Sequence, residues 1–104
     1  MSVMMFTVYD SKAEAYLPPF NMASKGEAIR AFADCVNDNK HSFSRHPADF
    51  TLFLLGSFDE ASASITALST PQSLGVAIEY KDNSTVVPYA RAFGDTAEFP
   101  DNAA

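Results

Sequence analysis

Apolar positions recur with a strand's period in several parts of the chain and with a helix's period in one. From Val3 to Tyr9, Met4, Phe6 and Val8 fall on one face and Val3, Met5, Thr7 and Tyr9 on the other. Both faces are largely apolar, which predicts an interior strand. Asp10-Ser11-Lys12 is a turn signal. Ala13 to Leu17 fits neither period, and Pro18-Pro19 rules out helix, so this part is expected to run extended at a sheet edge. Phe20-Asn21-Met22 then predicts a short strand returning beside the first.

Ser24-Lys25-Gly26-Glu27 is a capping box, with the Ser24 hydroxyl placed to accept from the Glu27 amide and the Glu27 carboxylate placed to reach the Ser24 amide. The helix it opens puts Ile29, Phe32, Ala33 and Val36 on one apolar stripe. Asn37-Asp38-Asn39 ends it, because these side chains compete for backbone hydrogen bonds. Lys40 to Asp49 reads as a loop whose Pro47 and Asp49 form a turn. Phe50 to Phe58 is the most strongly apolar run, too short and too β-prone for a buried helix, and predicts the central strand. Asp59 to Ser64 is a polar hairpin connection, and Ile65 to Leu68 is the return strand. Ser69 to Ser73 reads as loop, and Leu74 to Tyr80 as a short fifth strand.

Strands joined by short turns pair antiparallel. One amphipathic helix against such a sheet gives a two-layer α+β domain in the order β-β-α-β-β, expected over residues 1–80. Residues 81–104 are expected to be an acidic, weakly ordered tail, in which Tyr89 and Phe93 share helical spacing.

At 104 residues the chain is the size of one domain, able to bury roughly two-thirds of its unfolded surface. Nine Phe and no Trp predict a core built on phenylalanine. Cys35 is the only cysteine, so no disulfide closes within the chain, and a free thiol suits a reducing compartment. No apolar run approaches the 18 or so residues of a membrane span, so a soluble, intracellular protein with no membrane contact is expected.

The net charge of −6 opposes the basic footprint of most nucleic-acid binders. It is unevenly spread: residues 1–58 sum to −1 and residues 59–104 to −5. The acidic half is a possible partner surface, though such charge more often serves solubility. Within the first half, Lys25, Arg30, Lys40, Arg45 and His46 fall close together in sequence, with Phe43 among them. A basic loop with an aromatic can hold single-stranded nucleic acid by phosphate contact and base stacking. Glu27, Asp34 and Asp38 lie in the same stretch and offset most of that charge.

Cys35, His41 and His46 match no common zinc spacing, so no metal is expected. His46 near Ser42, Ser44 and Asp49 supplies the residue types of a nucleophile site on one loop only. No nucleophile elbow, phosphate loop or dinucleotide fingerprint occurs, so no catalytic residues and no cofactor are expected.

Several segments together resemble one family. They are Tyr9-Asp10-Ser11-Lys12-Ala13-Glu14-Ala15-Tyr16, Pro19-Phe20, Gly26 with Ala28-Ile29-Arg30-Ala31-Phe32 and Val36-Asn37-Asp38, Phe43 through Leu52, Gly56-Ser57-Phe58-Asp59, and Ser73-Leu74-Gly75-Val76-Ala77. Across about residues 4 to 80 the chain resembles the small nonstructural protein of gokushoviruses, single-stranded DNA phages of the Microviridae. The resemblance implies a protein made in the infected host cytoplasm, absent from the virion and associated with DNA binding or replication. It carries over no binding residues. Two functions follow as expectations. One is a non-enzymatic accessory factor that binds single-stranded DNA through Lys25, Arg30, Lys40, Phe43, Arg45 and His46. The other is a regulator that binds phage or host replication or packaging proteins, acting through a homodimer or an acidic surface.

Overall fold

A computed structural model describes residues 2–81. Strand β1 (Ser2–Asp10) turns into β2 (Ala15–Tyr16) and β3 (Phe20–Met22). Helix α1 (Lys25–Val36) and a helical turn α2 (Ser42–Arg45) follow. The chain then runs through β4 (Phe50–Asp59) and β5 (Ser64–Val76) into a last turn, α3 (Ala77–Tyr80). All pairing is antiparallel, in the order β2-β1-β4-β5, and β3 shares with β2 the outer edge of β1. The α+β architecture read from the sequence is therefore present, with β4 in its central place.

Local chemistry accounts for these boundaries. The Asp10 carboxylate accepts from the amides of Lys12 and Ala13 and so closes the first turn. Pro18-Pro19 interrupts the returning arm, leaving β2 and β3 as short edge pieces that frame β1. Ser24 caps α1 by accepting from Glu27 N at 3.2 Å, while the Glu27 carboxylate reaches one residue further back than expected, to Ala23 N. Asn37 ends α1, and its amide donates to both Ala33 O and Tyr80 O, tying α3 to the helix. Lys81, assigned by the sequence to the tail, belongs to this body. Its ammonium donates to Val36 O and to Ser44 O and Oγ, which suits a cation at a helix C-terminus. The rest of the expected tail, including Tyr89 and Phe93, lies outside the described residues.

The core sits between the helices and one face of the sheet. Phe6, Val8, Phe50, Leu52 and Leu54 meet Ala28, Ala31, Phe32, Cys35 and Val36 there. The buried stripe of α1 is centred on Ala28, Phe32 and Cys35, so Ile29 and Ala33 stand on its flank.

The second half of the chain departs most from expectation. The predicted return strand, loop and fifth strand are one long strand, β5, and Ala77 to Tyr80 is helical. Its pairing with β4 jumps from Leu54↔Gln72 to Gly56↔Ala67, so Leu68 to Pro71 bulge outward while staying extended. Beyond this, Tyr80 folds back over Gly75, and its hydroxyl donates to Leu74 O. A bulge of this kind leaves polar residues between two strand fragments, which in sequence looks the same as a loop.

Gly56 lies where the pairing of β4 is irregular on both sides and β5 presses close. Phe6 pairs with Leu54 and Met5 with Gly56, so Leu55 bulges on the β1 side. A side-chain carbon on Gly56 would stand 2.1 Å from Thr66 O and 2.9 Å from Ala67 Cα. Gly56→Val is expected to cost more than about 2 kcal/mol and to lower Tm by roughly 10 °C, read by thermal denaturation.

Candidate nucleic-acid interface

The sequence-derived residues do not gather into one site. Lys25 opens α1, and Lys40 lies beyond its far end. A helix of 12 residues separates them by about 18 Å. Arg30 is exposed midway along α1, near Asp34. Arg45 and Lys40 do come together, but the Arg45 guanidinium donates to Lys40 O at 2.8 Å and so serves the loop's own fold. His46 is exposed at the end of α2, beside a groove of about 270 Å³ that it lines with Asp10, Lys12, Asp49 and Phe50.

Phe43 is the clear correction. It is 0% exposed, with its ring 4.6 Å from Phe50, 5.4 Å from Phe32 and 4.3 Å from the His41 imidazole. The stretch predicted as loop contains α2, capped by His41 Nδ1 accepting from Phe43 N, and this turn drives Phe43 inward. A buried ring has no face to offer a base.

One exposed and two half-buried aromatics stand on the opposite side of the sheet. Cross-strand partners share a face. Tyr9 pairs with Tyr16 and Thr51, and Thr7 pairs with Phe53, which puts Tyr9, Tyr16 and Phe53 together on the face away from the helices. Their rings form a row, 4.7 Å from Tyr9 to Tyr16 and 5.9 Å from Tyr16 to Phe53. Tyr16 is 55% exposed. Beside the row runs a groove of about 220 Å³, lined by Thr7, Tyr16, Leu17, Pro19, Leu55 and Pro71. It is smaller than the roughly 300 Å³ of a typical small-molecule site and offers room for a flat ring. Thr7 makes no demand on an occupant, because its hydroxyl donates to Leu17 O at 2.6 Å.

The sequence signal for this row was available in part. Tyr9 and Phe53 fall on the strand phase opposite the core positions Val8 and Leu52. Tyr16 could not be placed, because Ala13 to Leu17 follows no period.

Charge is distributed accordingly. Lys25, Arg30, Lys40 and Arg45 lie on the helical layer, and Lys12 lies in the turn leaving Tyr9. Of the acidic half, Asp59, Glu60 and Glu79 fall among the described residues, at one hairpin tip and on α3, and they form no continuous surface. Among the described residues no three His, Cys, Asp or Glu side chains are arranged to hold a metal ion.

Asp34 is 4% exposed, and its Oδ2 has no hydrogen-bond partner. Burial pushes its carboxyl above the usual 3.8, and the Arg30 charge pulls it part of the way back. The folded state therefore holds this proton more tightly than the unfolded chain. The associated stability is present at low pH and is lost as pH rises from about 3.8 through the folded value.

Residues 3–80 match the family model described as Phage ORF5 protein, a span that opens in β1 and closes on the last residue of α3. No curated protein and no solved structure matches the chain.

Two outcomes are expected. Phe43→Ala loses about 3–5 kcal/mol in denaturant unfolding, as for a deleted core ring. Asp34→Asn raises Tm over the parent chain at pH 7, and the gain vanishes at acid pH, where the parent carboxyl is already neutral.

Proposed function

The chain belongs to the Phage ORF5 protein family, and on that premise we propose that it is a non-enzymatic phage accessory protein that binds single-stranded DNA during genome replication in the host cytoplasm. The observation that supports this reading is the row of Tyr9, Tyr16 and Phe53 on a sheet face that, among the described residues, no helix covers. Every base has a π-face, so exposed aromatics on a rigid sheet hold single strands without reading sequence. Lys12, in the turn that follows Tyr9, is the cation nearest the row in sequence, and it lines the neighbouring groove with His46 and Asp49. The finer identity, a nonstructural protein of the gokushovirus branch of the Microviridae, rests on the sequence resemblance and accords with a phage family.

Stacking carries more of this binding than charge does. The four cations of the helical layer stand on the other side of the sheet from the aromatic row. With one or two phosphates neutralised, the slope of log K against log salt is expected to be no steeper than about −1.5. Binding through Lys25, Arg30, Lys40 and Arg45 would bring it near −3.

A second reading is a regulator that binds replication or packaging proteins. It is favoured by the absence of any charged residue from Ala61 to Ile78, a stretch exposed along most of its length. A neutral surface suits protein contact better than phosphate contact.

Fluorescence anisotropy with a labelled oligothymidine at low salt separates the two readings. The first expects measurable affinity, weakened on the order of tenfold by Tyr16→Ala and little changed by Arg45→Ala. Absence of binding at low salt would overturn it and leave the second.

A further inference from the structure

We propose that β5 is a dimerisation edge, along which two copies of this chain join their sheets into one. β5 is 13 residues long, and among the described residues it pairs with β4 on one side only. From Ser64 to Ser73 every residue is exposed, including Ile65 at 63% and Leu68 at 41%. Soluble proteins protect such edges with charge, brevity or proline, because open N–H and C=O groups template another strand. The opposite edge of this sheet follows that rule, with short β2 and β3 broken by Pro18-Pro19. β5 carries no charged residue at all, and its first proline is Pro71. The bulge that begins at Leu68 is the one such protection on this edge, and Ser64 to Ala67 before it is the regular unprotected run, about 13 Å of extended chain.

The occupant is a second copy because of the charge distribution. Two chains of net charge −6 repel each other wherever their acidic residues meet. The stretch from Ala61 to Ile78 lets them approach without such a meeting. Antiparallel pairing of β5 with its copy also sends the two Asp59-Glu60 hairpin tips to opposite ends of the joint. The two-fold axis of an antiparallel strand pair is perpendicular to the sheet, so the faces of the two sheets remain on the same side. Both rows of Tyr9, Tyr16 and Phe53 then look the same way, and a single strand long enough to cross the joint engages both at once.

The test is sedimentation equilibrium on the full chain up to about 100 µM, with hydrogen exchange followed in parallel. The expected mass is twice the 11.3 kDa of the chain, and β5 amides exchange more slowly as concentration rises. The double variant Thr66→Lys with Leu68→Lys, whose fold is checked by far-UV circular dichroism, is expected to halve the apparent mass. If that variant fails to fold, the concentration dependence of exchange in the parent chain still decides. A parent chain that stays at 11.3 kDa overturns the proposal, whether β5 amides exchange freely or are covered within one chain. So does a dimer whose β5 amides exchange at the same rate at every concentration. A monomer leaves the single-stranded DNA reading intact, and a dimer without DNA affinity leaves this one intact.

Discussion

Phe43 connects the two layers of the fold. Its ring meets Phe50 at the start of the central strand and Phe32 in the middle of α1, and Phe32 in turn meets Tyr80 at 5.8 Å. Through these contacts α1, α2, α3 and β4 share one aromatic cluster. The polar stitches on its rim depend on the spacing that it sets. Asn37 reaches Tyr80 O, and Lys81 reaches Val36 and Ser44, because the rings hold the helices a fixed distance above the sheet. Burial also pushes the Tyr80 phenol up, with the neighbouring Glu79 charge adding to the effect, so this hydroxyl stays a donor to Leu74 O across ordinary pH.

The sheet divides the molecule by chemistry. One side carries the core, the helices and most of the described cations. The other side carries rings, prolines and small polar residues. Aromatic rings and most of the described cations are thus placed apart. The same partition lets β5 be bare without exposing charge.

Much of the fold was legible because its elements obey simple periods. The Phe50 to Phe58 run had one physical reading, which held, and the capping box held in its Ser24 half while the Glu27 carboxylate went to Ala23 N instead of Ser24 N. Three features were hidden for identifiable reasons. The β5 bulge places Ser69-Thr70-Pro71 inside a strand, where local chemistry signals a loop. Ala77 to Tyr80 is helical because Asn37 and the Pro47 carbonyl, which accepts from Ile78 N, capture its backbone from far away in sequence. Phe43 sits among cations in the sequence, yet one helical turn is enough to point it inward. The candidate interface was less legible: the sequence offered Phe43 as a stacking ring, and Phe43 is a core residue, because neighbours in the chain stood in for neighbours in space.

The pairing of β1 with β4 has a kinetic meaning as well. Val3↔Phe58 and Tyr9↔Thr51 join residues that are far apart in the chain, with α1 in between. Closing that loop costs entropy before any ladder bond is gained, which makes the pairing of β1 slower than that of a local hairpin. The β4–β5 hairpin is local. Its turn is held by Asp59, which accepts from Ala61 N and Ser62 Oγ, and hairpins of this kind form in about 1–10 µs. During synthesis, then, a hairpin with an uncharged outer edge and a vacant inner one exists before its first strand returns to it. In that interval one edge of β4 waits for β1 of the same chain, and the outer edge of β5 is free to meet another.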